Sequence, residues 1–256
     1  MTATPRRLRL GILTPSSNTS LEPLTSAMVA DVPGASAHFA RFRVTQIALS
    51  DQALGQFDDS HILEAAQLLA DARVDCIGWS GTAAGWRGFD TDRVLCERIT
   101  AATGIPATTS VLALNALLVR FGIHKLALVT PYTADVQELI VRNYAALGID
   151  CVAEQHLDLS TNFSFAEVTE AQLDTLVAQV AQARPEAIVT FCTNLYAAHR
   201  VPAWEAAHGI PVFDTVTTVV WQMLQMLGAD LQGLQRWAGW VTAAQKPGLS
   251  RRLDTR

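Results

Sequence analysis

No stretch of this chain is apolar over the roughly 18 to 20 residues needed to cross a membrane. No basic run or patch marks a face for nucleic acid or anionic lipid. The formal net charge is −5, from 19 Lys and Arg against 24 Asp and Glu. Arg6 and Arg7 stand near the start, but no apolar signal core follows them. These absences point to a soluble cytoplasmic protein, without nucleic-acid or membrane partners. Only four cysteines are present, Cys76, Cys96, Cys151 and Cys192, and none shows CxxC or Cys/His spacing. Neither a zinc centre nor a disulfide scaffold is indicated, and in a reducing cytosol free thiols are expected. The six histidines, His38, His61, His124, His156, His199 and His208, have no spacing that suggests a catalytic pair.

What is present is an apolar half and a strict alternation. Of 256 residues, 50% are hydrophobic, enough for a sizeable core. Short apolar runs predict strands over Leu8–Thr14, Ala37–Phe42, Val74–Trp79, Lys125–Thr130, Asp150–His156, Ala187–Phe191 and Pro211–Phe213. They are nearly continuous rather than alternating, as in parallel strands covered on both faces. Helical periodicity separates them, over His61–Asp71, Asp92–Thr103, Val111–Phe121, Ala134–Leu147, Glu170–Ala183 and Thr217–Leu227. Gly104, Gly122, Gly148, Gly209 and Gly228 mark helix ends. The fold class is doubly wound α/β.

The chain also repeats itself. Ala-Arg-Val-Asp-Cys-Ile-Gly-Trp-Ser-Gly-Thr at 72–82 aligns without a gap with Ala-Arg-Pro-Glu-Ala-Ile-Val-Thr-Phe-Cys-Thr at 183–193. Arg9-Leu-Gly-Ile-Leu-Thr-Pro15 resembles Lys125-Leu-Ala-Leu-Val-Thr-Pro131, and Gly104-Ile-Pro106 recurs as Gly209-Ile-Pro211. Duplication gives two pseudo-symmetric Rossmann-like lobes, each a mostly parallel sheet flanked by helices, with the site in the cleft between them. The final helix of each half crosses to the other, which sets the lobes at 1–108 with 216–256, and 109–215. Ligands bind beyond the carboxyl ends of such strands. Four turns rich in hydroxyl and amide groups fit that place, at 14–19, 80–84, 130–133 and 191–194. Each is expected to open a helix, so that free N–H groups face a carboxylate.

In the repeat, Gly81 stands where Cys192 stands. Two opposed thiols could move a proton from one face of a carbon to the other; one thiol serves one face. Cys76 in a strand, Cys96 on a helix and Cys151 near a strand start read as structural. Cys192, at a strand end before a hydroxyl-amide turn, reads as functional.

The turns Pro15-Ser-Ser-Asn-Thr19 and Cys192-Thr-Asn194 resemble the maleate cis-trans isomerases of the aspartate/glutamate racemase superfamily. Gly81-Thr-Ala-Ala-Gly-Trp-Arg-Gly88 is similar to the arylmalonate decarboxylases of the same branch, where glycine also replaces the first cysteine. The resemblance covers nearly the whole chain to about Gly228. It implies an enzyme without cofactor, acting on a small dicarboxylate between two similar lobes. Cys192 would deliver a proton to a planar enediolate. Thr82, Tyr132, the backbone of Thr193 and Asn194 and the N–H of Cys192 would hold that enediolate, and Asn18 would hold a carboxylate. Gly81 and Ala83 would belong to the carboxylate-binding loop, although Ala83 replaces the decarboxylase serine, and Thr193 and Asn194 replace two glycines. Leu13, Trp79, Trp86 and Leu195 are candidates for a small apolar pocket around the departing carboxylate. Loss of CO2 generates the carbanion without a base, so a single acid suffices. A decarboxylase of a substituted malonate is therefore expected. The alternatives are a maleate-type isomerase or racemase lacking the first cysteine, and a carboxylate-binding protein without catalysis. Trp237 and Trp240 are spaced to pack on a lobe or on a second subunit, which leaves a homo-oligomer open.

Overall fold

The computed structural model describes residues 7–57 and 59–245. Expectations that touch residues 1–6 and 246–256, including the outer ends of the first lobe, lie outside the described residues. The chain runs β1 (Leu8–Pro15), α1 (Leu21–Ala30), β2 (Ala35–Phe42), α2 (Asp51–Gly55), α3 (Asp59–Asp71), β3 (Cys76–Trp79), α4 (Ala84–Arg87), α5 (Asp90–Thr103), β4 (Ala107–Thr109) and α6 (Ser110–Phe121). It continues through β5 (Lys125–Thr130), α7 (Ala134–Ala146), β6 (Asp150–His156), α8 (Glu170–Ala181), β7 (Ala187–Thr190), α9 (Val201–His208), β8 (Val212–Asp214), α10 (Thr215–Met226) and α11 (Trp240–Ala244). Two four-stranded sheets result, ordered β2-β1-β3-β4 and β6-β5-β7-β8. Every pairing within them is parallel.

The two sheets share more than their order. Arg73 and Arg184, aligned in the repeat, both adopt φ of 50°. That left-handed backbone is uncommon for non-glycine residues. Two residues on, Asp75 Oδ2 accepts the Arg9 N–H at 2.8 Å, and Glu186 Oε2 accepts the Lys125 N–H at 3.0 Å. The same acid thus ties the third strand of each sheet to its first. At the end of the fourth strand, the Thr109 hydroxyl caps α6 through the Leu112 N–H, and the Asp214 carboxylate caps α10 through those of Val216 and Thr217. Register therefore holds from Arg9 to the helix after each fourth strand.

The strands are apolar because helices cover both faces: Leu10, Ile12 and Leu13 of β1 and Leu126, Leu128 and Val129 of β5 are fully buried. α10 lies on the first sheet, close enough that a Cβ on Gly78 of β3 would meet Met223 Sδ at 2.4 Å. α6 reaches the other way, its Phe121 ring 5.7 Å from Phe213 of β8. A bridge between Gln46 and Thr161 closes the halves beside the strand ends. Trp240 packs within the second sheet's surroundings, 5.1 Å from Phe213 and donating to the Val212 carbonyl. Among the described residues no helix is long and apolar enough to cross a membrane.

Candidate active site

The carboxyl ends of β1, β3, β5 and β7 converge on one small cavity. Pro15, Val44, Ile47, Phe57, Trp79, Gly81, Thr82, Ala83, Trp86, Tyr132, Asn162, Cys192 and Thr193 line it. The Gly81 turn and the Cys192 turn, 111 residues apart in the repeat register, thus face one space. Its volume is about 20 Å³, room for roughly one water. No lysine, arginine or histidine lines it, so an anion there would rely on hydroxyls and N–H groups.

Cys192 follows β7 and is 3% exposed. Burial pushes its thiol up to about 11. A hydrogen bond from Tyr132 and the N–H groups of Asn194 and Leu195 work against that rise, and the nearby Asp214 carboxylate adds to it. The Asn194 N–H lies 3.4 Å from the sulfur. At neutral pH this is a thiol, able to give a proton and poorly suited to attack as a thiolate. The expected helix after this turn is absent: residues 193–196 form turns and bends, and α9 starts only at Val201. The N–H groups near Cys192 therefore belong to a turn and not to a helix end.

Tyr132 is fully enclosed, with Trp86 at 5.2 Å and Phe165 at 5.6 Å between ring centres. Its hydroxyl shares a 2.6 Å hydrogen bond with Thr82 Oγ1. Burial pushes its pKa well above that of an ordinary phenol, so it too stays protonated. Thr82 joins the first half to Tyr132 of the second, and Thr193 joins the second to the first, donating to the Ser80 carbonyl at 3.1 Å.

Asn18 and Asn194 sit behind the wall and not on it. Asn18 Oδ1 accepts the N–H groups of Ser20 at 3.0 Å and Leu21 at 2.9 Å, capping α1, while its amide donates to Thr193 Oγ1 at 3.3 Å. Asn194 Oδ1 accepts the N–H groups of Thr19 and Ser20, and its amide donates to the Asn162 carbonyl at 2.5 Å. Together the two asparagines form a buried clasp across the halves. Their polar atoms are engaged before any ligand arrives.

Gly81 leaves no empty slot. A Cβ there would lie 2.1 Å from Trp79 Cζ2 and 2.4 Å from Cε2. The indole of Trp79 occupies the position a first thiol would need, and it packs on Phe42 at 5.0 Å. Of the four apolar candidates, Trp79 and Trp86 line the cavity; Leu13 and Leu195 do not. The Trp86 indole N–H is buried without a hydrogen-bond partner, a donor at the wall that sequence reasoning had taken for apolar surface. Phe57, Val44, Ile47 and Asn162 were missed altogether. They lie beyond the carboxyl ends of β2 and β6, and the strand-end rule applied to those strands would have found them.

The sequence profile of the arylmalonate decarboxylase family matches residues 11–236. The chain belongs to that family. Family membership here spans two activities. A maleate isomerase from Pseudomonas putida (strain KT2440) is 28% identical over 243 residues, 90% of this chain and 95% of the relative. An arylmalonate decarboxylase from Bordetella bronchiseptica is 25% identical over 171 residues, 66% of each. Among solved structures, the maleate isomerase Iso from Pseudomonas putida S16 superposes with a TM-score of 0.81 at 26% identity, covering 89% of this chain and 99% of that one. A variant of that enzyme with maleate gives 0.80 at 26% identity, covering 88% and 97%. Unliganded arylmalonate decarboxylase gives 0.70 at 20% identity, covering 88% and 98%, a likeness of fold.

Proposed function

We propose that this protein is a cofactor-independent carbon–carbon lyase that removes CO2 from a small substituted malonate. The observation that carries the reading is the pairing of one protonated thiol, Cys192, with an indole in place of a second thiol at Gly81. In the proposed reaction the bond between the reacting carbon and one carboxylate breaks. CO2 leaves, and the electron pair spreads into the remaining carboxylate as an enediolate. The Thr82–Tyr132 pair and the N–H groups around Cys192 would stabilise that dianion, as preorganised donors do where charge develops. The Cys192 S–H bond then breaks and its proton goes to the carbon, leaving a thiolate that recovers a proton from water. The apolar surface of Trp79, Trp86, Val44 and Ile47 would disfavour the departing carboxylate's charge. No step needs a base, which fits the lack of one.

A maleate-type isomerase is the second reading. The maleate isomerase relatives and the Asn18 and Cys192-Thr-Asn194 turns favour it. It asks more of Cys192, whose buried thiol would have to ionise or find another partner for the second step. Offering 2-phenyl-2-methylmalonate, maleate and free amino acids to the pure protein separates these readings. CO2 from the malonate supports the lyase. Fumarate formed from maleate, with no CO2 from the malonate, would reject it. Binding without turnover of any of the three would favour a non-catalytic carboxylate-binding protein.

A further inference from the structure

Trp79 lines two spaces at once. One is the catalytic cavity. The other is a side pocket of about 260 Å³, bounded also by Phe57, Ile62, Arg87, Asp92 and Leu95. Phe57, Trp79 and Ala83 are the partition shared by both. With room for about one water, the catalytic cavity cannot admit a dicarboxylate in this conformation, so some wall must move. A larger space lies directly beyond that partition.

The hold on Trp79 differs from that on three other tryptophans, while Trp86 and Trp221 likewise have unpartnered indole N–H groups. Trp204 donates its indole N–H to Asp174, Trp237 to Asp31 and Trp240 to the Val212 carbonyl. Among the described residues, Trp79 makes no such bond, and its ring contact with Phe42 is the specific one that holds it. Its ring edge rests over the bare Cα of Gly81.

We propose that Trp79 is a swinging wall. Entry of a dicarboxylate drives the indole off Gly81 and into the side pocket, and the two spaces merge into one chamber that Cys192 faces. Gly81 then serves a second purpose besides the missing thiol: it gives the indole a place to rest when the site is empty. The proposal concerns access and stands whichever carboxylate reaction the site performs.

Alkylation of Cys192 by iodoacetamide in the full chain, followed by peptide mass spectrometry, tests this without any turnover. Rates are compared at equal thiolate fraction, taken from each variant's pH profile, with Cys76 in the core as the internal control. Trp79→Ala is expected to speed Cys192 alkylation at least about tenfold, Trp79→Phe to a lesser extent, and neither to expose Cys76. An unchanged Cys192 rate in a folded Trp79→Ala overturns the proposal. So does an acceleration seen only in Gln56→Ala, which frees the Thr45 N–H that Gln56 Oε1 accepts at 2.7 Å; loop 43–50 would then be the entrance. If Trp79→Ala fails to fold, the wild-type chain labelled with 5-fluorotryptophan gives the reading. The Trp79 fluorine signal, assigned through Trp79→Phe, is expected to shift as phenylmalonate or maleate protects Cys192 from alkylation. A signal unmoved under full protection would reject the swing.

Discussion

Restoring the absent thiol should cost stability, and the size of the cost follows from one contact. Gly81→Cys places a Cβ 2.1 to 2.6 Å from three carbons of the Trp79 ring, a separation that forces movement. Trp79 is 2% exposed and backed by Phe42. Overpacking of this kind costs about 1 to 3 kcal/mol. For a chain of this size each kcal/mol lowers the melting midpoint by about 2 to 4 °C, so a drop of about 2 to 12 °C is expected. Trp79→Leu removes the obstacle at its own cost in lost packing. The double variant should then be more stable than the sum of the single losses, by about 1 kcal/mol or more in a double-mutant cycle. Denaturant unfolding with circular dichroism measures all four corners. On an α-aryl acid in deuterated water, α-hydrogen exchange should be stronger in the double variant than in Gly81→Cys alone, because only there do two thiols face the cavity. A Gly81→Cys protein as stable as wild type, with zero coupling to Trp79→Leu, would refute the steric argument.

Two further perturbations follow from buried polar groups. Burial raises the Asp92 carboxyl from 3.8 to about 7, against the Thr109 hydroxyl bond and the Arg87 charge. The folded state therefore holds this proton where the unfolded chain has lost it, so the stability it confers is present below about pH 4 and is lost as pH rises through 7. Asp92→Asn keeps an acceptor for Thr109 and should remove that decline, so its melting midpoint gains on wild type progressively between pH 4 and 7; a constant difference across that range would contradict the assignment. Asn194→Ala strips the clasp between the halves and leaves the N–H groups of Thr19 and Ser20 without the Asn194 acceptor. The Ser20 N–H keeps its Asn18 acceptor, so a loss of about 1 to 3 kcal/mol in total is expected, read by denaturant unfolding, and an unchanged stability would mean that the Asn194 clasp adds nothing to the hold between the halves.

The duplication was legible because it is written in unusual residues. The Arg73/Arg184 and Asp75/Glu186 pairs mark a positive-φ turn and a strand tie that few sequences satisfy twice by chance. The parallel sheets were legible in unbroken apolar runs. β4 was not, because Ala107–Thr109 is three residues long and carries no apolar run. α1 follows the 14–19 turn, where a helix was expected; α9 was obscured by Pro202, which the first turn of a helix tolerates. At the site, sequence brought Gly81, Thr82, Ala83, Tyr132, Cys192 and Thr193 to one cavity wall. It gave the Asn18 side chain and the Asn194 backbone to a ligand, and the structure adds that both side chains are engaged in the clasp. It read Gly81 as a missing thiol and did not say what occupies the space. Which neighbour fills a space left by glycine is decided by packing, yet one signal was available: Trp79 and Gly81 are two residues apart at a strand end, and such residues share a face.

The central claim is that Cys192 gives the proton that completes loss of CO2. CO2 release from 2-phenyl-2-methylmalonate by wild type and Cys192→Ala, measured side by side with both variants checked for native folding, tests it most directly. Removal of a general acid costs about 10²- to 10⁴-fold. The account predicts release by wild type, one product enantiomer, and a loss of that order in the variant. Release at a near-native rate from Cys192→Ala would contradict it.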